Sequence, residues 1–288
     1  MVTVQGRRAA YADVGDGLPV LFLHGWGLGH AAYRRVHRNL VEQGTRVVAP
    51  TLPGFGATAP LPREDTTFAG YADWVADFAA EVGVEHAVVA GHSFGGGVAT
   101  AAVHRHPDLA RALVLVNAVG GSTWTSSDGA VRTLADRPWW DWGRTFPADL
   151  HEVARVLPSV LREAVPNLVR RPGSLWRIGE LARSADLTAE LEDLRARGLP
   201  VAALRGERDG VVPEAAFRDI CAALGTDGHV VAGSHSWLLA DPAGFGEVVT
   251  NVVEAAKVAH DLDEEGWPPG LRWWGRRRHR RQQLADAA

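Results

Sequence analysis

The chain has 288 residues, 46% of them hydrophobic and 22% charged, which is the balance of a globular protein with a sizeable core. The net charge of −4 is uneven: residues 271–288 carry Arg272, Arg276, Arg277, Arg278, Arg280 and Arg281 against Asp286, which leaves an acidic body and excludes a nucleic-acid-binding fold, whose basic face would lie on the body. Cys221 is the one cysteine, so internal disulfides and cysteine-based metal clusters are excluded; no apolar signal segment opens the chain and no run reaches ~20 apolar residues, so a cytoplasmic location is expected.

In chain order, Arg8 to Val14 reads as a strand closed by the Gly15-Asp16-Gly17 turn. Pro19 to Leu23 is a continuous apolar run, the mark of a strand buried on both faces, and leads into His24-Gly25-Trp26-Gly27. Residues 30–43 have helical spacing. Arg46 to Ala49 is a second buried strand, followed by a Pro- and Gly-rich loop to Gly56. Thr67 is placed to cap a helix with Tyr71, Val75, Phe78 and Val82 as its apolar stripe. A strand from His86 to Ala90 runs into Gly91-His92-Ser93-Phe94-Gly95, and a helix follows to about His106. Arg111 to Asn117 is a further buried strand.

This alternation predicts an α/β protein with a mostly parallel sheet and helices on both faces. The pattern breaks after Gly120. Residues 121–197 contain no buried strand and read as a helical insertion, with helices broken at Pro147, Pro158, Pro166 and Pro172. Its last helix has Asp186 as cap, Leu187, Leu191 and Leu194 as stripe, and Gly198 as stop. The sheet pattern resumes at Leu199–Leu204 and continues with a helix over 213–223, a strand over 228–231 and a helix over 242–259. The predicted organisation is a core of 1–120 and 198–260, an insertion of 121–197, and a basic, disordered tail of 261–288.

Gly91-x-Ser93-x-Gly95 between a strand and a helix has the spacing of a nucleophile elbow, in which the tight turn exposes the serine hydroxyl. Ligands of open parallel sheets bind beyond the carboxyl ends of the strands. Asp209 follows the strand that ends near residue 205, and His235 follows the strand over 228–231. Ser93, Asp209 and His235 thus lie at one sheet edge, in that order. Glu207 is the nearest competing carboxylate, and Asp209 also suits a helix-capping role before Pro213. His229 and His260 compete with His235, but one lies within a strand and the other after the last helix. His24 suits a packed structural role, His104 and His106 a surface one, and Cys221 the core.

The sequence resembles the α/β-hydrolase superfamily over residues 8–259. The resemblance rests on His24-Gly25-Trp26-Gly27, Pro53-Gly54-Phe55-Gly56, the elbow, Gly206-x-x-Asp209-x-x-Val212-Pro213 and Gly233-x-His235. Thr51 departs from the aspartate that many relatives carry there. The resemblance implies a helical cap between the sixth and seventh strands and a serine hydrolase that cleaves a small or medium apolar ester without metal or cofactor. Ser93 is then the nucleophile, His235 its base and Asp209 the acid that orients it, with the backbone N–H groups of Trp26 and Phe94 as the oxyanion hole. C–C bond hydrolase, amidase, lactonase, acyltransferase and peroxidase-like activities use the same triad, and a non-catalytic receptor shares the fold.

The expected pocket residues are Trp26, Trp124, Trp139, Trp140, Trp142 and Trp237, because several of these tryptophans crowd a Gly/Ser/Asp-rich segment that is unusual for pure core. The expected partner is a small apolar molecule. Paired tryptophans and arginines give the tail a second expectation, weak peripheral contact with an anionic membrane.

Overall fold

The structure, a computed structural model, describes residues 1–138, 141 and 150–261, with side chains described at 1–138, 141 and 156–255. A strand that is apolar on both sides is stable in a sheet covered on both faces. Such strands are β4 (Leu18–Leu23), β6 (Ala87–His92) and, after Arg111, β7 (Ala110–Val116), and they lie side by side with β5 (Thr45–Pro50). With β3 (Tyr11–Val14), β10 (Val201–Gly206) and β11 (His229–Val231) they form a seven-stranded sheet of order β11-β10-β7-β6-β4-β5-β3. Every pairing is parallel except β3 with β5.

Successive side chains point to opposite faces of the sheet, which divides the core in two. Leu21, Leu23 and Val89 face a cluster built with α2 (Phe68–Glu81), α3 (Phe94–Arg105) and α7 (Glu214–Leu224). Val20, Phe22 and Val88 face a second cluster with α1 (Arg34–Glu42), the short α8 (Trp237–Ala240) and α9 (Pro242–Asp261). Thr67 caps α2 as expected, its side chain accepting from the Gly70 N–H at 3.0 Å.

The run from Arg8 to Val14 is not one strand. β2 (Arg7–Ala9) pairs with β1 (Val2–Val4) as a separate hairpin, and the chain turns at Ala10 before β3. There the Ala10 N–H donates to Thr58 Oγ1 and its carbonyl accepts from Thr51. In the seven-stranded sheet the insertion falls between the fifth and sixth strands in chain order, β7 and β10, instead of the sixth and seventh.

The insertion leaves at Gly120 and returns at Leu187, whose N–H donates to the Gly120 carbonyl at 2.8 Å. It is not purely helical. A hairpin of β8 (Thr123–Thr125) and β9 (Val131–Thr133) precedes α4 (Leu150–Arg170) and α5 (Pro172–Arg183). Pro158 and Pro166 do not break α4. Each removes one helical hydrogen bond, and the helix continues through both with Val156 and Asn167 buried. Pro172 sits in the first turn of α5, where its missing N–H costs nothing. Helix α6 (Thr188–Ala196) packs on α3 and α7, with Leu191 and Leu194 in the core cluster, so it belongs to the helical layer on the sheet and not to the cap. Pro147 and residues 262–288 lie outside the described residues. No helix among the described residues is long and apolar enough to cross a membrane.

Candidate active site

The site begins where β6 turns into α3. Ser93 takes φ 55° and ψ −119°, a conformation that L residues avoid and that lifts the side chain out of the strand line. The turn demands close backbone approach. A Cβ on Gly91 would stand 2.4 Å from the Gly95 carbonyl oxygen, and one on Gly95 would stand 2.3 Å from that of Leu23. The Ser93 N–H is tied to the Val116 carbonyl at 2.9 Å.

Asp209 and His235 meet across the ends of β10 and β11. His235 Nδ1 lies 3.0 Å from both carboxylate oxygens of Asp209. Asp209 Oδ1 also accepts from the N–H groups of Val211 and Val212 at 2.8 and 3.0 Å, so the loop-capping role and the histidine contact coexist in one carboxylate. Burial opposes ionisation of Asp209. The facing His235, its hydrogen bond and the two N–H groups outweigh burial and hold the carboxyl below its ordinary range. Ser93 and His235 line the same cavity; among the described contacts there is no direct hydrogen bond between them.

Asn117, at the end of β7, is a residue that the sequence reading missed. It is buried with φ 48°, and its Nδ2 donates to Asp209 Oδ2 at 2.6 Å. Its Oδ1 accepts from the Gly206 N–H and from Trp237 Nε1. The signal was available: Asn117 is the polar residue that ends an apolar strand at the same carboxyl edge as Ser93.

Two further residues went unread, His92 and Tyr33. His92 Nε2–H donates to the His235 carbonyl at 2.8 Å, so Nδ1 is the acceptor for the Tyr33 hydroxyl at 2.7 Å. Tyr33 Oη in turn accepts from the Gly25 N–H at 3.1 Å. This chain of contacts joins the loop after β4, the elbow and the His235 loop. Burial, reinforced by the neighbouring His235, pushes His92 down to about 3, so it is neutral at ordinary pH. His24 is a packed structural residue: its Nδ1–H donates to the Gly25 carbonyl, Nε2 accepts from Leu52 N–H, and burial pushes it down to about 4. Thr51 binds the His30 ring through Oγ1 at 2.6 Å. His104 and His106 pair with Asp193 and Asp73 at the surface. Burial pushes the Cys221 thiol up to about 11, which leaves it inert.

Ser93 and His235 open on a cavity of about 420 Å³. One wall is the core, with Trp26, Leu28, His92 and Val119; the other comes from α4 and α5, with Val156, Leu157, Val160, Ala164, Gly179 and Ala182. Arg183 and Arg208 are its charged lining residues. The insertion is fastened to the loop after β4. Asn167 Nδ2 donates to the Gly27 carbonyl at 2.9 Å while its Oδ1 accepts from Gly56 N–H, and Trp26 Nε1 donates to the Leu175 carbonyl. The N–H groups of Trp26 and Phe94 find no acceptor among the described residues, and Phe94 is the first residue of α3.

Of the six tryptophans expected at the pocket, Trp26 lines it. Trp124 and Trp237 do not. Trp124 is buried in a satellite cluster with Val119, Leu134 and Val212, under the Arg137 guanidinium at 5.9 Å. Trp237 is buried against Phe245 and spends its N–H on Asn117. Both bury a large apolar body, which the core rewards as well as a pocket does; Trp237 also satisfies its donor, whereas the buried Trp124 Nε1 has no hydrogen-bond partner among the described residues. Trp139, Trp140 and Trp142 lie outside the described residues.

The elbow, the ordered Ser, Asp and His loops and the parallel sheet define an α/β hydrolase. Residues 19–241 match the α/β hydrolase fold family, and the chain belongs to it. It is similar to a protein of Mycobacterium phage D29 that carries the inferred name non-heme haloperoxidase, at 30% identity over 84% of this chain and 90% of that one. In fold it is similar to the bromoperoxidase of Bacillus anthracis, with a TM-score of 0.69 and 19% identity over 86% of this chain and 96% of that one. A thermophilic esterase from Thermogutta terrifontis gives a TM-score of 0.67 and 21% identity over 88% of this chain and 97% of that one.

Proposed function

We propose that this protein is a serine hydrolase that cleaves a small or medium apolar carboxylic ester through an acyl-enzyme. The observation that carries the reading is the His235–Asp209 contact on a cavity that also exposes the strained Ser93. Neutral His235 takes the proton from the Ser93 hydroxyl as it attacks the carbonyl carbon, then returns it to the departing alcohol. Asp209, ionised and accepting from Nδ1–H, fixes the tautomer that leaves Nε2 free to act as base and stabilises the imidazolium. The Trp26 and Phe94 N–H groups are the donors for the oxyanion, the second being at a helix start, where N–H groups are left over for a ligand. Water, activated by the same histidine, releases the acid. The mechanism requires neither metal nor organic cofactor. The mostly apolar cavity walls favour an apolar acyl or alcohol group.

The test is labelling with a fluorophosphonate probe, followed by hydrolysis of p-nitrophenyl esters of increasing chain length. Wild type labels and hydrolyses; Ser93→Ala does neither. A wild type that binds apolar ligands but neither labels nor hydrolyses would be a receptor on this fold. The phage relative's name favours a second reading, in which hydrogen peroxide replaces water and the acyl-enzyme yields a peracid and free Ser93. Peracid formation from ester plus peroxide, lost in Ser93→Ala, separates the two outcomes.

A further inference from the structure

Eleven large apolar side chains are exposed among the described residues, and seven of them lie on α4, on α5 and at the cavity mouth. Leu157, Leu161, Val165, Leu168 and Val169 follow one another along α4, with exposure rising from 44% at Leu157 to 74% at Val169. Spacings of four, four and three residues put the first four on one side of the helix. Trp176, on α5, and Trp26 are also exposed. The buried side of α4, with Val156 and Asn167, faces the core, so this helix is apolar toward solvent as well as inward. Contiguous apolar surface of this kind marks an interaction site.

Two observations indicate what it meets. The stripe does not end at the surface: Leu157 and Trp26 are exposed and also line the cavity in which Ser93 stands, so the apolar surface is continuous with the cavity lining. The charge beside it is cationic. Residues 156–177 hold four arginines against Glu163 in a chain whose net charge is −4, and Arg162, Arg170 and Arg177 are exposed. Apolar side chains bordered by arginines, with an exposed tryptophan, suit the boundary of an anionic bilayer: the apolar groups enter the acyl region and the cations stay among the phosphates.

We propose that the exposed face of α4 and the start of α5 dock this protein on an anionic lipid surface, with the cavity mouth against the lipid. Docking is separate from bond cleavage and does not require that Ser93 react. It also places the membrane contact on the insertion, in addition to any contact through the tail.

The experiment is sedimentation of full-length protein with vesicles of phosphatidylcholine alone and of phosphatidylcholine with phosphatidylglycerol in equal parts. Wild type and Ser93→Ala are expected to pellet with the anionic vesicles and to remain largely soluble with the neutral ones. The Leu161→Gln, Val165→Gln, Leu168→Gln triple variant changes only exposed side chains and is expected to lose binding at least tenfold, with its melting temperature unchanged. Arg162→Glu with Arg170→Glu is expected to weaken binding to anionic vesicles. Wild type left in the supernatant, or a triple variant that binds as wild type does, overturns the proposal. So does a wild-type dimer in gel filtration that the triple variant converts to monomer, because the stripe would then be covered by a second copy of the chain.

Discussion

The sheet edge and the insertion above it are built on opposite terms. At the sheet edge the Asp209 carboxylate and the His92 ring are committed: Asp209 accepts from His235, Asn117, Val211 and Val212, and His92 is held at both ring nitrogens. The insertion leaves apolar surface to solvent along α4, and its contacts with the edge include Asn167 and the Trp26 indole. Saturated, buried polar networks resist rearrangement, whereas an exposed helix on few fastenings can vary its residues at little cost to the fold. In the proposed function the edge sets how a bond is broken, and the insertion sets which molecule reaches it.

The comparison breaks first at the edge. Ser93→Ala is expected to lower kcat by about 10⁴-fold or more without changing the melting temperature appreciably; comparable activity would place the nucleophile elsewhere. Asn117→Ala leaves Ser93, Asp209 and His235 in place but releases Asp209 from its Asn117 contact. It is expected to reduce kcat about 100-fold with KM little changed, since a displacement of about 1 Å at the reacting groups suffices for that loss. A rise in KM alone would instead assign Asn117 to substrate binding.

Acid acts on the edge as a whole. Burial pushes His24 to about 4 and His37 and His92 each to about 3. Between the ordinary value of ~6.5 and these depressed values, the unfolded chain binds protons that the folded chain does not, so stability falls as pH falls. Each such histidine contributes up to about 1.4 kcal/mol per pH unit over that window. Thermal melts at pH 7 and pH 5 are expected to show a clear drop at pH 5. An unchanged melting temperature would mean that these rings are charged in the fold.

Changes on the insertion are expected to be smaller and different in kind. Asn167→Ala removes a buried hydrogen bond to the loop at Gly27 and a part-buried one from the loop at Gly56, and is expected to lower kcat roughly tenfold through the loop that carries the Trp26 N–H. Ala164→Phe narrows the cavity and is expected to shift acyl-chain preference toward shorter esters by about tenfold, with phosphonate labelling of Ser93 unaffected. An equal loss on all esters would make the insertion part of the chemistry.

Much of the edge was legible in the chain. Buried strands announce themselves as unbroken apolar runs, and Gly91 and Gly95 around Ser93 announce a crowded turn. The order Ser93, Asp209, His235 then follows from which loops leave the same sheet edge. These are local signals, because strand burial and turn sterics act over a few residues. The insertion was read less well. Pro158 and Pro166 looked like helix ends, and α6 like part of the cap, because tertiary packing overrides propensity in both places. Trp124 and Trp237 looked like pocket residues, since composition cannot tell a tryptophan packed on Arg137 or Phe245 from one that faces a ligand.

What the sequence by itself determined is the class of sheet, the elbow and the types of group that gather beyond it. Tertiary structure alone decided that Asn117 holds Asp209, that Tyr33 and His92 bridge the Gly25 loop to His235, and that α4 turns an apolar stripe outward. Each of these joins residues far apart in the chain, or asks which side of a helix meets the core. A hydrogen bond 2.6 Å long between Asn117 and Asp209 depends on how β7 and β10 are paired. That pairing is a property of the assembled sheet, and neither segment encodes it alone.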